Sequence, residues 1–212
     1  MLEQLTWYRQ SSYLWRGEVT VYVDPWGVPD GEPGADFVFI THAHADHFSP
    51  DDIKKVSSEG TIFVAPHDIA EQLAGDVRAV RPGEQLEVAG VGVEAIPAYN
   101  VQPGRLDKHP RDNDWVGYVL TLDGTRYLFA GDTDHTPELT GVRTDVAVVP
   151  VGGTFTMDAA EAATAVKEMG PRLAVPYHYG FVVGSESDGH RFVEAIAPIE
   201  GRIMTPVYPF AR

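Results

Sequence analysis

The segment from His42 to His47, HAHADH, sets four side chains able to bind a cation within six residues. Imidazole nitrogen and carboxylate oxygen hold a divalent ion such as zinc at about 2.0–2.2 Å, and no packing need explains such a density of them. The residues just before, Phe37 to Thr41 (FVFIT), are aromatic or β-branched and read as a strand buried on both faces. On an extended continuation His42, His44 and Asp46 project to one side. A turn then brings His47 round before Ser49 opens a helix. One short loop can therefore offer two ligands to one cation and two to a second about 3.5–4 Å away, the separation of two-metal hydrolases.

Two further apolar runs end on ligand-type residues. RYLFAG stops at Asp132 and RLAVPY at His178. Alone, Asp132 reads as a turn residue after Gly131, and His178 as a core histidine. Beside the first motif both read as metal ligands, since sites gather where a rigid scaffold ends and loops begin.

The elements that position these residues are mostly short strands: VTVYVDP, FVFIT, TIFVAP, VGVEAIPAY, GYVLTL, RYLFAGD, DVAVVPV, RLAVPYH and RIMTP. Helices are fewer. SPDDIKKVSS opens on Ser49 as N-cap with Pro50 behind it, and MDAAEAATAVKEMG is alanine-rich and closed by Gly170 and Pro171. PHDIAEQLAG and a stretch from about 187 to 197 are shorter candidates. The order predicts layered α and β structure with mostly sequential strands, in one domain over residues 1–212. Two loops interrupt it. The one from Gly27 to Asp36 reads as a surface connection. The one from Asn100 to Asp114 is longer and polar, and loops of that length are often functional. It carries Arg105, Lys108 and Arg111, able to grip an anionic group, against Asp107, Asp112 and Asp114.

Composition narrows the chemistry. The chain has 212 residues, 43% of them hydrophobic, and no cysteine, which excludes thiolate ligands, disulfides and a cysteine nucleophile. A net charge of −15 argues against a nucleic-acid-binding surface and leaves a small molecule, anionic ones included, as the expected partner. No run of about 20 apolar residues is present, and the N-terminus lacks the basic and apolar regions of a signal peptide. The expected location is the cytoplasm, with no membrane association. Neither a G-x-S-x-G nor a Walker-type sequence occurs.

The H-x-H-x-D-H motif after a strand resembles the defining motif of the metallo-β-lactamase fold superfamily. VYVDPWG (Val21 to Gly27), LFAGDTD (Leu128 to Asp134), VPVGGTFTMDAAEA (Val149 to Ala162) and PYHYG (Pro176 to Gly180) extend the resemblance. The last two look like a branch of small cytoplasmic metal-dependent hydrolases related to the ascorbate-phosphate lactonases. The resemblance implies a four-layer αββα sandwich of mixed α and β structure, with a dinuclear site at one edge. Position by position, it implies His42 and His44 on the first metal, Asp46, His47 and His178 on the second, and Asp132 bridging the two. The cofactors implied are two divalent ions, zinc first, with manganese, iron or nickel as alternatives.

The chain departs from the pattern at Asn100, where many members place a third histidine for the first metal. His109, nine residues on, either swings back onto that metal, meets substrate or lies in solvent; Asn100 itself offers an amide oxygen. Asp134 is a candidate to orient a ligand imidazole, and Asp24 has a similar standing. His67 and His190 read as surface or helix-start residues. The activity implied is hydrolysis of a small ester, lactone or phosphodiester by a hydroxide bridging the metals, with Asp46 as the catalytic carboxylate that orients it and receives its proton. The rivals are a nuclease, a redox di-iron protein, against which His44 argues, and a non-enzymatic metal-binding or sensor domain.

Overall fold

The computed structural model describes residues 1–210. Six strands form the first sheet: β1 (Leu5–Arg9), β2 (Ser12–Arg16), β3 (Thr20–Val23), β4 (Phe37–Phe39), β5 (Ile62–Pro66) and β6 (Asp76–Val80). Seven form the second: β7 (Gln85–Val88), β8 (Val91–Pro97), β9 (Val116–Leu122), β10 (Thr125–Phe129), β11 (Val146–Pro150), β12 (Leu173–Tyr177) and β13 (Glu200–Gly201). The strand orders are 1-2-3-4-5-6 and 13-12-11-10-9-8-7, sequential as expected.

Side-chain alternation explains the layering. In the first sheet Trp7, Tyr13, Trp15, Val21, Val23, Phe37 and Phe39 point one way and join the second sheet in one core. Their neighbours Tyr8, Leu14, Tyr22, Val38 and Ile40 point the other way, into a separate core under α1 (Pro50–Val56) and α2 (His67–Ala70). The far face of the second sheet is covered by α3 (Pro137–Thr140), α4 (Ala159–Met169) and α5 (Glu186–Ala195). The result is the αββα sandwich. Ser49 caps α1 through the Asp52 amide, and Gly170 closes α4 at φ 66°, as their sequences indicate.

Six segments differ from the sequence reading. WYRQSSYLW forms the hairpin β1–β2, turning at Gln10 with φ 45°. DVRAV and QLEV form β6 and β7, sheet-edge strands whose mixed, exposed residues give no apolar run. RIMTP is not a strand: pairing with β12 ends at Gly201. PHDIAEQLAG yields only the single turn of α2.

Strand direction decides where the site lies. β3, β4, β5 and β6 are mutually parallel, and β1 shares their direction because two antiparallel pairings separate it from β3. In the second sheet β8, β10, β11 and β12 share a direction by the same count. The C-terminal ends of these strands release Gln10, Asp24, His42, Asn100, Asp132 and His178 into the loops at the strand ends. No helix among the described residues is long and apolar enough to cross a membrane.

Candidate metal centre

Two groups of ligand-type side chains converge there, with the donor atoms within each lying inside 4.8 Å of one another: His42, His44, His109 and Asp132, and then Asp46, His47 and His178. All are buried except His44 and Asp46, which are half-buried and face a cavity. Asp132 touches both groups. Its Oδ2 lies 3.2 Å from His109 Nε2 and 3.1 Å from His178 Nε2, and its Oδ1 lies 3.3 Å from His47 Nε2. Within the first group His42 Nε2 and His44 Nδ1 are 3.1 Å apart. Two ligands on one tetrahedral zinc ion stand about 3.3–3.5 Å apart, given bonds of 2.0–2.1 Å.

Three of the imidazoles are fixed from behind. His47 Nδ1 donates to Asp24 Oδ2 at 2.7 Å, which turns Nε2 toward Asp132 as the atom to meet a cation. Thr41 Oγ1 donates to the same carboxylate at 2.7 Å and lies 3.0 Å from His42 Nδ1, so it accepts from that ring and leaves the His42 Nε2 lone pair inward. Asp24, buried at the end of β3 with φ 48°, thus orients one imidazole of each group. His109 Nδ1 donates to Asn100 Oδ1 at 2.9 Å. The Trp115 ring packs against His42, His44 and His109 and is anchored by Nε1 donating to Asp68.

The loop from Asn100 to Asp114 therefore turns His109 into the first group. Asn100 does not offer its amide to the cavity. Its oxygen accepts from both His109 N–H groups, backbone and ring, and its Nδ2 donates to Asp134 and to the Phe155 carbonyl. Asp134 touches no imidazole, contrary to the role anticipated for it. Fully buried, it accepts from Asn100, the Val101 and Gln102 amides and Arg105, and so pins the loop one step behind His109. Arg105 and Arg111 are tied to Asp134, Glu161 and Glu138. Lys108 alone among the loop's cations lines the cavity. His67 and His190 lie exposed, away from both groups.

Residues not singled out from sequence hold the second group. Gln10 Nε2 donates to Asp46 Oδ2 at 3.2 Å, Ser11 Oγ donates to the Asp46 carbonyl, and the Gln10 carbonyl accepts from His178 N–H. His178 has φ 59°, a left-handed backbone uncommon outside glycine, and such strain collects at functional sites. Gly152 is required beside it: a Cβ there would stand 2.1 Å from the His178 carbonyl oxygen. A polar turn such as QSS gives no sign of this role.

The electrostatics match a cation site. Burial raises the Asp132 carboxyl, but His178 and His47 reverse this and hold it well below the ordinary range. Burial lowers His47, yet Asp132, Asp24 and Asp46 carry it well above the usual imidazole value. His178, likewise opposed by burial, is pushed up to about 9 by Asp132 and Asp46. Three carboxylates thus hold protons on two buried imidazoles, a surplus of negative charge that a divalent ion satisfies by displacing those protons. Five buried polar atoms here make no hydrogen bond: His47 Nε2, His109 Nε2, Asp132 Oδ1 and both nitrogens of His178. Each such orphan costs about 1–3 kcal/mol, and four of the five belong to atoms turned toward the shared carboxylate or are part of it. The residues present fit a metal.

A family profile described as a β-lactamase superfamily domain matches residues 4–178. The chain belongs to that superfamily. It is 35% identical to a UPF0173 metal-dependent hydrolase of Methanoculleus marisnigri over 83% of this chain and 80% of the relative. A second so named, from Thermococcus kodakarensis, is 33% identical over 80% of this chain and 81% of the relative. A crystal structure from Parabacteroides distasonis, of a protein assigned as a metal-dependent hydrolase, superposes with a TM-score of 0.87 at 32% identity, covering 95% of this chain and 92% of that one. By these relationships the chain is an enzyme, a metal-dependent hydrolase of the β-lactamase superfamily.

Proposed function

We propose that residues 1–212 form one hydrolase domain that uses two divalent ions to cleave a small ester, lactone or phosphodiester. The observation that carries this is Asp132, whose two oxygens face donors of both groups. His42, His44 and His109 would hold the first ion with Asp132; Asp46, His47 and His178 would hold the second with the same carboxylate. Zinc is the first metal to test, and manganese, iron and nickel suit the same donors. Bound ions would supply Lewis acidity toward the scissile carbonyl or phosphoryl oxygen and bring the pKa of water toward neutrality.

The chain's own groups do the rest. Burial raises the Asp46 carboxyl, but His47 and His178 hold it well below its usual range, so it is ionised at neutral pH. Its side chain keeps 20% exposure, and Gln10 engages only Oδ2. In this reading Oδ1, which Gln10 leaves free, orients the attacking water and takes its proton. The cavity above, about 260 Å³ and lined by His44, Asp46, Lys108, Phe155 and Val182 among others, suits a small substrate. The net charge of −15 weighs against a nuclease.

The test is turnover by metal-replete protein of chromogenic carboxylic esters, lactones and bis(4-nitrophenyl) phosphate. Activity on one class, abolished by a chelator and restored by metal, is expected. Turnover that survives complete chelation would sink the reading, as would inertness toward all three classes.

A further inference from the structure

A second cavity of about 340 Å³ adjoins the first, and Val182 lines both. Arg9, the last residue of β1, lines it. Its guanidinium carbon stands 3.5 Å from the ring centroid of Trp26 and 5.8 Å from that of Tyr208. The chain carries 31 acidic residues against 16 basic ones. Yet among the described residues Arg9 makes no salt bridge and no side-chain hydrogen bond, and its buried Nε is without a partner. The loop cations Arg105 and Arg111 are neutralised by carboxylates; among the described residues Arg9 is not. Gly27, at φ 70°, leaves room for it: a Cβ there would come within 2.8 Å of Arg9 Cδ and Nε.

An arginine stacked on an aromatic face keeps its edge N–H groups free, and that edge matches a planar carboxylate or a phosphate in two parallel hydrogen bonds. Trp26, Phe181 and Tyr208 wall the same cavity and would cover an apolar segment beside the anion. Gln10 follows Arg9 directly and holds Asp46, while its Oε1 accepts from Val182 N–H. One turn of the chain thus carries both the anion-binding cation and the support of the catalytic carboxylate. Resting on the hydrolase reading above, we infer that this cavity is a substrate subsite: the enzyme acts on molecules whose non-reacting end carries a carboxylate or phosphate, bound by Arg9, across Val182 from the scissile bond.

The test is calorimetric titration of metal-loaded wild type, Arg9→Met and Arg9→Lys with glutarate, with inorganic phosphate, and with uncharged glutaramide. Met keeps the aliphatic packing and removes the charge. The expected result is that Arg9→Met weakens binding of one or both anions roughly tenfold to a hundredfold, the range for charge-assisted hydrogen bonds, with metal content unchanged. Arg9→Lys should retain part of the affinity, and glutaramide should not distinguish the proteins. Which anion is lost tells carboxylate from phosphate recognition. Equal anion affinity in wild type and Arg9→Met would place the anions on the metals and overturn the subsite. So would an Arg9→Met that only lowers the unfolding temperature, or a wild type that binds neither anion at millimolar concentration. Because metal content is read in each protein, failure here is distinguishable from failure of the dinuclear centre.

Discussion

Asp24→Asn separates an account in which one buried carboxylate sets the metal-binding tautomers from one in which it merely fills space. Asp24 accepts three hydrogen bonds, from Thr41 N at 2.8 Å, Thr41 Oγ1 at 2.7 Å and His47 Nδ1 at 2.7 Å. Asparagine keeps the shape but has one accepting oxygen. If that oxygen stays on the Thr41 amide, the new NH2 faces His47 Nδ1, which must give up its hydrogen to become an acceptor. The ring proton then sits on Nε2, the atom turned toward Asp132. Exchanging charge-assisted bonds for neutral ones costs about 1–3 kcal/mol of stability in the chelator-treated protein. Losing the orienting carboxylate costs about 10- to 100-fold in metal affinity. Urea unfolding with excess chelator reads the first quantity, and competition against a chromogenic chelator reads the second. Thr41→Val is the companion: it removes the link to His42 and one of the bonds to Asp24 but leaves the Asp24–His47 bond in place, and should weaken one ion more than the other. A folded Asp24→Asn protein with undiminished affinity for both ions would refute the reasoning.

Three further outcomes follow from the same geometry. Asp134→Ala leaves four donors without their acceptor, and should free the His109 loop, lower stability by about 3 kcal/mol or more and cost one metal ion while the second group keeps its own, read by unfolding and metal analysis. Gly152→Ala drives a methyl into the His178 carbonyl, and should destabilise by about 1–3 kcal/mol and loosen the second ion; wild-type metal retention and stability would show that the loop yields freely. In chelator-treated protein His178 is raised from 6.5 to about 9, so its protonation contributes stability that is full below pH 6.5 and lost as pH rises through 9. Denaturation midpoints should fall across that interval while metal affinity rises, because the ion displaces the same proton; a midpoint rising with pH would reverse the sign.

The fold and much of the centre are legible in the sequence because both rest on local signals. FVFIT, RYLF and LAVPY announce buried strands, and a ligand-type residue stands just beyond each. What stays open or escapes notice depends on distant pairings. His109 is one of several readings in the sequence, and its place beside His42 is set by a chain of hydrogen bonds from Asp134 through Asn100, residues 34 apart in sequence. Gln10 supports Asp46 from 36 residues away, and its neighbours are polar turn residues with no pattern of their own. Arg9 looks like an ordinary strand cation until the sandwich stacks it on Trp26 beside the cavity. The edge strands β6 and β7 are missed because their exposed faces suppress the apolar alternation by which strands are read.

The central claim is that two convergent donor groups sharing Asp132 hold two cations. Elemental analysis of protein purified without chelator, beside His44→Ala and Asp132→Asn, tests it most directly. The account predicts about two divalent ions per chain in wild type, about one in His44→Ala, and a loss affecting both ions in Asp132→Asn. Folded wild-type protein that takes up no metal after exposure to zinc or manganese, or an Asp132→Asn variant that keeps both ions at full affinity, would contradict it.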